Sequence, residues 1–209
     1  MKKFGIRTAG RSLFLCMIAL AFLAVGASEA RADEVTLSGS TTGTVSGVPQ
    51  LTFTGNNFTG TTALGVGSLS GSNSLGSFFL STAPTQALAG TFTLNVTFTV
   101  PTGIAGGQGT SYTATITGSV SPNIDQGGVL VHFNNPTQNF TFSNANGTGS
   151  FSLTLADVFV QTGRSAQLTA GFTGQQNPVP EPMTMLLFGT GLAGVAAKVR
   201  RRKKASLPE

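Results

Sequence analysis

Between residues 33 and 178 the chain has no lysine, no cysteine and no tryptophan, and only one arginine, one histidine and one tyrosine. With Arg164 as its one permanent cation, this stretch cannot neutralise a row of phosphates, which excludes electrostatic nucleic-acid binding. Without cysteine it has neither disulfide staples nor thiolate metal sites, so a packed core alone must hold it. Charge is scarce, at 9% of 209 residues, and unevenly placed. Residues 1–32 carry five cations against Glu29, a net +4, and residues 179–209 carry six against Glu181 and Glu209, again +4. The middle sets Arg164 against Asp33, Glu34, Asp125 and Asp157, a net −3, which together return the chain's +5. The basic character belongs to the two ends.

At the first end, Lys2, Lys3, Arg7 and Arg11 precede an apolar run over residues 13–25, and small residues lead to Ala30-Arg31-Ala32. That order predicts a secretory signal peptide over 1–32, with Ala30 and Ala32 marking cleavage before Asp33. Thirteen apolar residues fall short of the about 20 that a permanent span takes. Arg7 and Arg11 are not adjacent, so the route predicted is the Sec translocon and not a twin-arginine pathway. Cys16, the chain's only cysteine, would leave with the signal.

The middle predicts an all-β domain over 33–173. Phe92, Leu94, Val96, Phe98 and Val100 alternate with Thr91, Thr93, Asn95, Thr97 and Thr99, the period of two that sends successive side chains to opposite faces. The pattern recurs around Tyr112, Ala114 and Ile116 and around Phe151, Leu153 and Leu155. Weaker candidates lie near 35–45, 49–54, 64–70, 75–82, 128–133, 138–142 and 166–173, separated by Gly, Pro and Asn clusters. Short strands with one apolar face must bury it against another sheet, so an antiparallel β-sandwich or jelly-roll-like fold is expected. The Gly-, Ser- and Thr-rich stretch 36–62 reads as a loosely ordered edge.

Catalysis needs a titratable group held near partners, and the middle offers His132, Asp125, Asp157, Arg164 and Tyr112. His132 lies between Val131 and Phe133 with no carboxylate at a helpful spacing, and Asp125 and Asp157 have no sequence reason to meet. The expectation is therefore no enzyme, no cofactor and no metal site. What the strands present outward is hydroxyl and amide. Thr91, Thr93, Thr97 and Thr99 beside Thr113, Thr115 and Thr117 form a candidate binding face, with threonines about 6.7 Å apart along each strand. β-propensity alone enriches strands in Thr, so a solvated outer face is the simplest account of that row.

At the second end, residues 174–182 read as a Pro-rich linker containing Pro180-Glu181-Pro182, residues 183–199 as a transmembrane helix, and residues 200–209 as a basic cytoplasmic tail. The cations are Lys198, Arg200, Arg201, Arg202, Lys203 and Lys204, placed to stay on the cytoplasmic side. Pro180-Glu181-Pro182, then an apolar segment with Leu186-Leu187-Phe188-Gly189-Thr190-Gly191-Leu192, then Arg200-Arg201-Arg202, resembles the PEP-CTERM sorting signal of exported bacterial proteins. Lys203 to Glu209 extend beyond the arginines where many such tails end. Gly189-Thr190-Gly191-Leu192-Ala193-Gly194 matches a dinucleotide fingerprint in letters only, because no buried strand precedes it and no acidic residue follows at the needed distance.

The resemblance implies cleavage near the Pro-Glu-Pro by an exosortase-type membrane protease, a transient stay in the inner membrane, and a final place at the cell surface, outer membrane or extracellular matrix. It also implies an exopolysaccharide-producing host. The function expected is that of a structural surface or matrix protein associated with exopolysaccharide. The alternative is an ice-binding or adhesin-like protein using its Thr faces, since the same tail occurs on proteins labelled ice-binding. A hydrolase ranks below both.

Overall fold

The computed structural model describes residues 34–178 and 182–204. The expected signal peptide, with Ala30 and Ala32, lies outside the described residues, as do Pro180 and Glu181. Among the described residues thirteen strands and one α-helix follow in order, with a single 3-10 turn at Gly71–Asn73 between the fourth and fifth strands. The strands are β1 (Thr36–Ser46), β2 (Leu51–Gly55), β3 (Asn57–Thr61), β4 (Val66–Leu69), β5 (Gly76–Leu80), β6 (Gln86–Val100) and β7 (Gly109–Val120). After them come β8 (Gly128–Phe133), β9 (Thr137–Asn144), β10 (Gly147–Leu155), β11 (Val158–Gln161), β12 (Ser165–Gln167) and β13 (Ala170–Pro178), then α1 (Pro182–Lys204).

The strands form three sheets, with orders β11-β8-β7-β6-β1-β3, β4-β13-β10-β9 and β12-β5-β2, and every pairing between named strands is antiparallel. Aromatic contacts show how they stack. Phe98 on β6 meets Phe140 on β9 and Phe151 on β10, each at 5.3 Å between ring centroids. Further along the same strand, Phe92 meets Phe78 on β5 at 4.8 Å and Phe53 on β2 at 4.9 Å. The inner face of the six-stranded sheet is therefore covered by the four-stranded sheet at one end of β6 and by the three-stranded sheet at the other. This is the expected sandwich, with one layer divided in two. Tyr112 on β7 is buried and its hydroxyl donates to the Leu153 carbonyl of β10 at 3.4 Å, a polar tie across the layers. A buried Phe or Leu contributes about 1.5–3 kcal/mol, and a core this rich in them needs no covalent staple.

Three expectations change. The stretch taken for a loosely ordered edge contains β1, which lies between β6 and β3. Its inward positions include Gly39 and Gly43, and these are small because aromatic rings occupy the space: a Cβ on Gly43 would stand 2.6 Å from both the Phe53 and Phe92 rings. Secondly, residues 174–178, expected in the linker, belong to β13, paired with β10 as far as Pro178 opposite Gly147. Thirdly, the expected transmembrane segment is helical within α1, yet among the described residues no helix is long and apolar enough to cross a membrane. The 15 uncharged residues 183–197 rise about 22 Å, short of a bilayer core of about 30 Å, and Gly189, Gly191 and Gly194 dilute the run before Lys198 ends it.

Candidate functional site

Register decides which outward side chains share a neighbourhood. On the six-stranded sheet Thr91 faces Thr115 and Thr93 faces Thr113, and β1 adds Ser46 beside Thr91 and Thr44 beside Thr93. Two short rows result, Ser46-Thr91-Thr115 and Thr44-Thr93-Thr113. The remaining threonines are less well aligned: Thr97 faces Gly109 and Thr117 faces Ala89 and Leu130, while Thr99 lies next to the register shift between Ser38 and Gly39. Asn95 faces Ser111, whose hydroxyl donates to the amide oxygen at 2.6 Å. Toward β3, Thr36 bonds Thr61 at 2.9 Å and Ser38 bonds Thr59 at 2.8 Å, so those hydroxyls satisfy one another.

The titratable side chains of the middle come together in pairs that spacing did not reveal. His132 on β8 meets Asp157, the residue before β11, with Nδ1 donating to Oδ2 at 2.6 Å. The backbone N–H of Phe133 donates to Oδ1 at 3.0 Å. The His132 bond, then the Phe133 bond, hold the Asp157 carboxyl below its ordinary pKa. Asp125 and Arg164 form a second pair, bidentate at 2.8 and 2.7 Å, and Arg164 lowers the Asp125 pKa while its own is raised. Asp125 and Asp157 thus serve different partners and do not form a carboxylate dyad. Thr115 faces His132 across β7 and β8, but among the described residues no hydrogen bond joins them, and the His132 side chain is 58% exposed. A hydroxyl, an imidazole and a carboxylate thus stand in sequence there, with the hydroxyl not engaged. Among the described residues no three His, Cys, Asp or Glu gather to hold a metal.

A shallow groove of about 500 Å³, which alternation alone gave no reason to single out, lies on the outward face of the four-stranded sheet. Six of its polar side chains stand in two rows, Asn139-Ser152-Thr173 and Thr141-Ser150-Gln175, set by the β9-β10-β13 register.

Beyond β13 the chain enters α1, which opens on Pro182, a residue suited to the first helical turn because its missing N–H has no helical partner. Leu187, Phe188, Leu192, Val195 and Val199 are all more than half exposed. Apolar side chains left open in this way need cover from something outside the described chain. Lys198 through Lys204 close the helix with cations, complementing the negative end of its dipole.

Residues 178–202 match the family model described as the PEP-CTERM protein-sorting motif. No curated protein and no solved structure matches the chain. The motif takes in Pro180-Glu181-Pro182, the apolar helix and the arginines, and so the chain carries the PEP-CTERM sorting tail of an exported protein that an exosortase processes at the membrane.

Proposed function

We propose that the protein is a structural component of the cell surface or extracellular matrix that associates with exopolysaccharide. It enters through the Sec translocon, is held in the inner membrane by α1 with help from its flanking basic residues, and leaves when the exosortase cuts near Pro180-Glu181-Pro182. Snorkelling of lysine and arginine stems extends the short apolar run toward the full bilayer thickness. The observation that carries the reading is the sorting tail placed behind a β domain whose outer faces are neutral hydroxyl and amide. Such faces offer hydrogen-bond partners to sugars without dependence on salt. No tryptophan and a single, buried tyrosine leave no Trp or Tyr platform, so binding is weak per site and gains strength from many copies along a polymer.

The test is fractionation of producing cells with and without their polysaccharide synthesis. Co-extraction with polysaccharide in the first strain and loss to the medium in the second support the role. Identical distribution in both strains removes it.

A second reading, ice binding or adhesion, is favoured by the rows Ser46-Thr91-Thr115 and Thr44-Thr93-Thr113. Thermal hysteresis by the exported product, lost in Thr93→Lys, would move the function there. The non-enzyme reading falls if turnover of any substrate is abolished by His132→Ala or Asp157→Ala.

A further inference from the structure

We propose that the groove on the four-stranded sheet is a binding site for a short segment of an uncharged glycan. This inference rests on the polysaccharide-associated reading and assigns it a place.

The geometry begins with three adjacent strands. In one row Asn139, Ser152 and Thr173 are cross-strand neighbours, and in the next Thr141, Ser150 and Gln175. Neighbouring strands lie about 4.8 Å apart, and same-face residues along a strand about 6.7 Å. Six polar groups are therefore spread over an area suited to successive hydroxyls of a sugar chain. The volume of about 500 Å³ falls within the about 300–1,000 Å³ usual for small-ligand sites.

Backbone contacts fix the two walls. On the β9 side, Ala105 in the β6–β7 loop donates its N–H to the Thr141 carbonyl at 2.9 Å, and Ile104 bridges Phe142. On the β13 side, a tight turn closed by the Ala63–Val66 bridge places Gly65 against the groove, its carbonyl accepting from the Gly174 N–H at 3.0 Å.

Two independent features then indicate the ligand. The first is that, among the described residues, none of the six groove side chains makes a hydrogen bond to another part of the protein. One row further along the same strands Thr137 and Thr154 bond each other at 3.0 Å, and outside the groove Thr36–Thr61, Ser38–Thr59 and Asn95–Ser111 do likewise. The threonine rows of the six-stranded sheet are likewise unengaged, and what sets these six apart is that they line a concave surface. Asn139 and Gln175 each offer two donors and an acceptor, the set that reads a pair of adjacent hydroxyls.

The second feature is a pair of exposed apolar side chains on the turn that carries Gly65, beside the groove and outside its lining. Val66 faces Thr173 across β4 and β13 and is 62% exposed, and Leu64, at the tip of the same turn, is 92% exposed with φ of 53°. A left-handed backbone costs a non-glycine residue about 1–2 kcal/mol, and full exposure forfeits the burial a leucine otherwise gains. A hydroxyl and amide floor with aliphatic side chains beside it matches a sugar ring, which has polar edges and C–H faces. No charged side chain lines the groove, so nothing in it favours a polyanion electrostatically over a neutral chain.

The test uses the full chain in detergent micelles, with affinity electrophoresis through the producer's own polysaccharide, a neutral β-glucan and, as a charged comparison, polygalacturonate. Each lost hydrogen bond weakens binding about fivefold, so Asn139→Ala with Gln175→Ala should weaken retention by a neutral polymer about 25-fold at an unchanged melting temperature. Ser152→Trp, which fills the floor, should abolish it, and Thr42→Ala on the other sheet should leave it intact. Retention that the groove variants do not alter, or retention by polygalacturonate alone, overturns the groove while the wider reading stands. Failure of the unaltered chain to bind any of the three polymers overturns both.

Discussion

His132 and Asp157 stand 25 positions apart in the sequence and 2.6 Å apart in space, Nδ1 to Oδ2. The same carboxylate receives the Phe133 N–H, so one side chain ties β8 to the turn that enters β11. Its pKa is lowered by these bonds, the His132 bond first. A depressed carboxylate stabilises the fold above its unfolded value of about 3.9 and loses that contribution as pH falls through the folded value. The pair is 58% and 42% exposed, which keeps its worth to about 0.2–1 kcal/mol. Asp157→Ala should lower the melting temperature by up to about 3 °C near neutral pH, and the difference should shrink in acid as pH falls through the lowered folded value. Thermal melts at neutral and acid pH check this, and an equal deficit at both would contradict it.

Tyr112 is the chain's only tyrosine, it is 1% exposed, and burial raises its pKa. A raised value keeps the phenol neutral in the fold, so its contribution is whole below the unfolded value of about 10 and is lost as pH rises through the folded value. Phenolate absorbance should therefore appear together with unfolding in an alkaline titration. Ionisation before any loss of β-sheet circular dichroism would show that the hydroxyl is open to water.

The glycines of β1 and β13 make opposite predictions. A Cβ on Gly43 meets the Phe53 and Phe92 rings at 2.6 Å, whereas one on Gly171 meets nothing within 4 Å. Gly43→Ala should cost about 1–3 kcal/mol by overpacking, and Gly171→Ala should be neutral or stabilising by up to about 1 kcal/mol. Denaturant midpoints of the two variants measure the difference, and equal midpoints would place the rings elsewhere.

Where alternation is carried by large side chains, the strands were legible: β6, β7 and β10 each set Phe, Leu, Val or Ile against Thr and Ser. β1 was harder, because two of its inward positions are glycine and a third is Thr41, buried and donating to the Leu75 carbonyl at 2.6 Å. β3 contributes a single buried side chain, Phe58, and β11 reads Val158-Phe159-Val160, where an exposed Phe159 erases the polar half of the pattern. The groove depends on β13 returning beside β10, a pairing no local signal encodes, and its Ser, Thr, Asn and Gln look like any outward residues until the strands are adjacent. The sorting motif was legible because its information is linear: a Pro-Glu-Pro, an apolar run and a basic end in fixed order.

The claim on which the rest depends is that the chain is exported and its tail removed by an exosortase. Intact-mass measurement of the protein recovered outside the inner membrane tests it most directly, in wild-type cells and in cells whose exosortase is deleted. The account predicts a wild-type product ending near Pro180-Glu181-Pro182, without α1 and its basic cluster, and a full tail retained in the inner membrane when the enzyme is missing. A wild-type extracellular product that still ends in Lys203, Lys204 and the residues after them would contradict it.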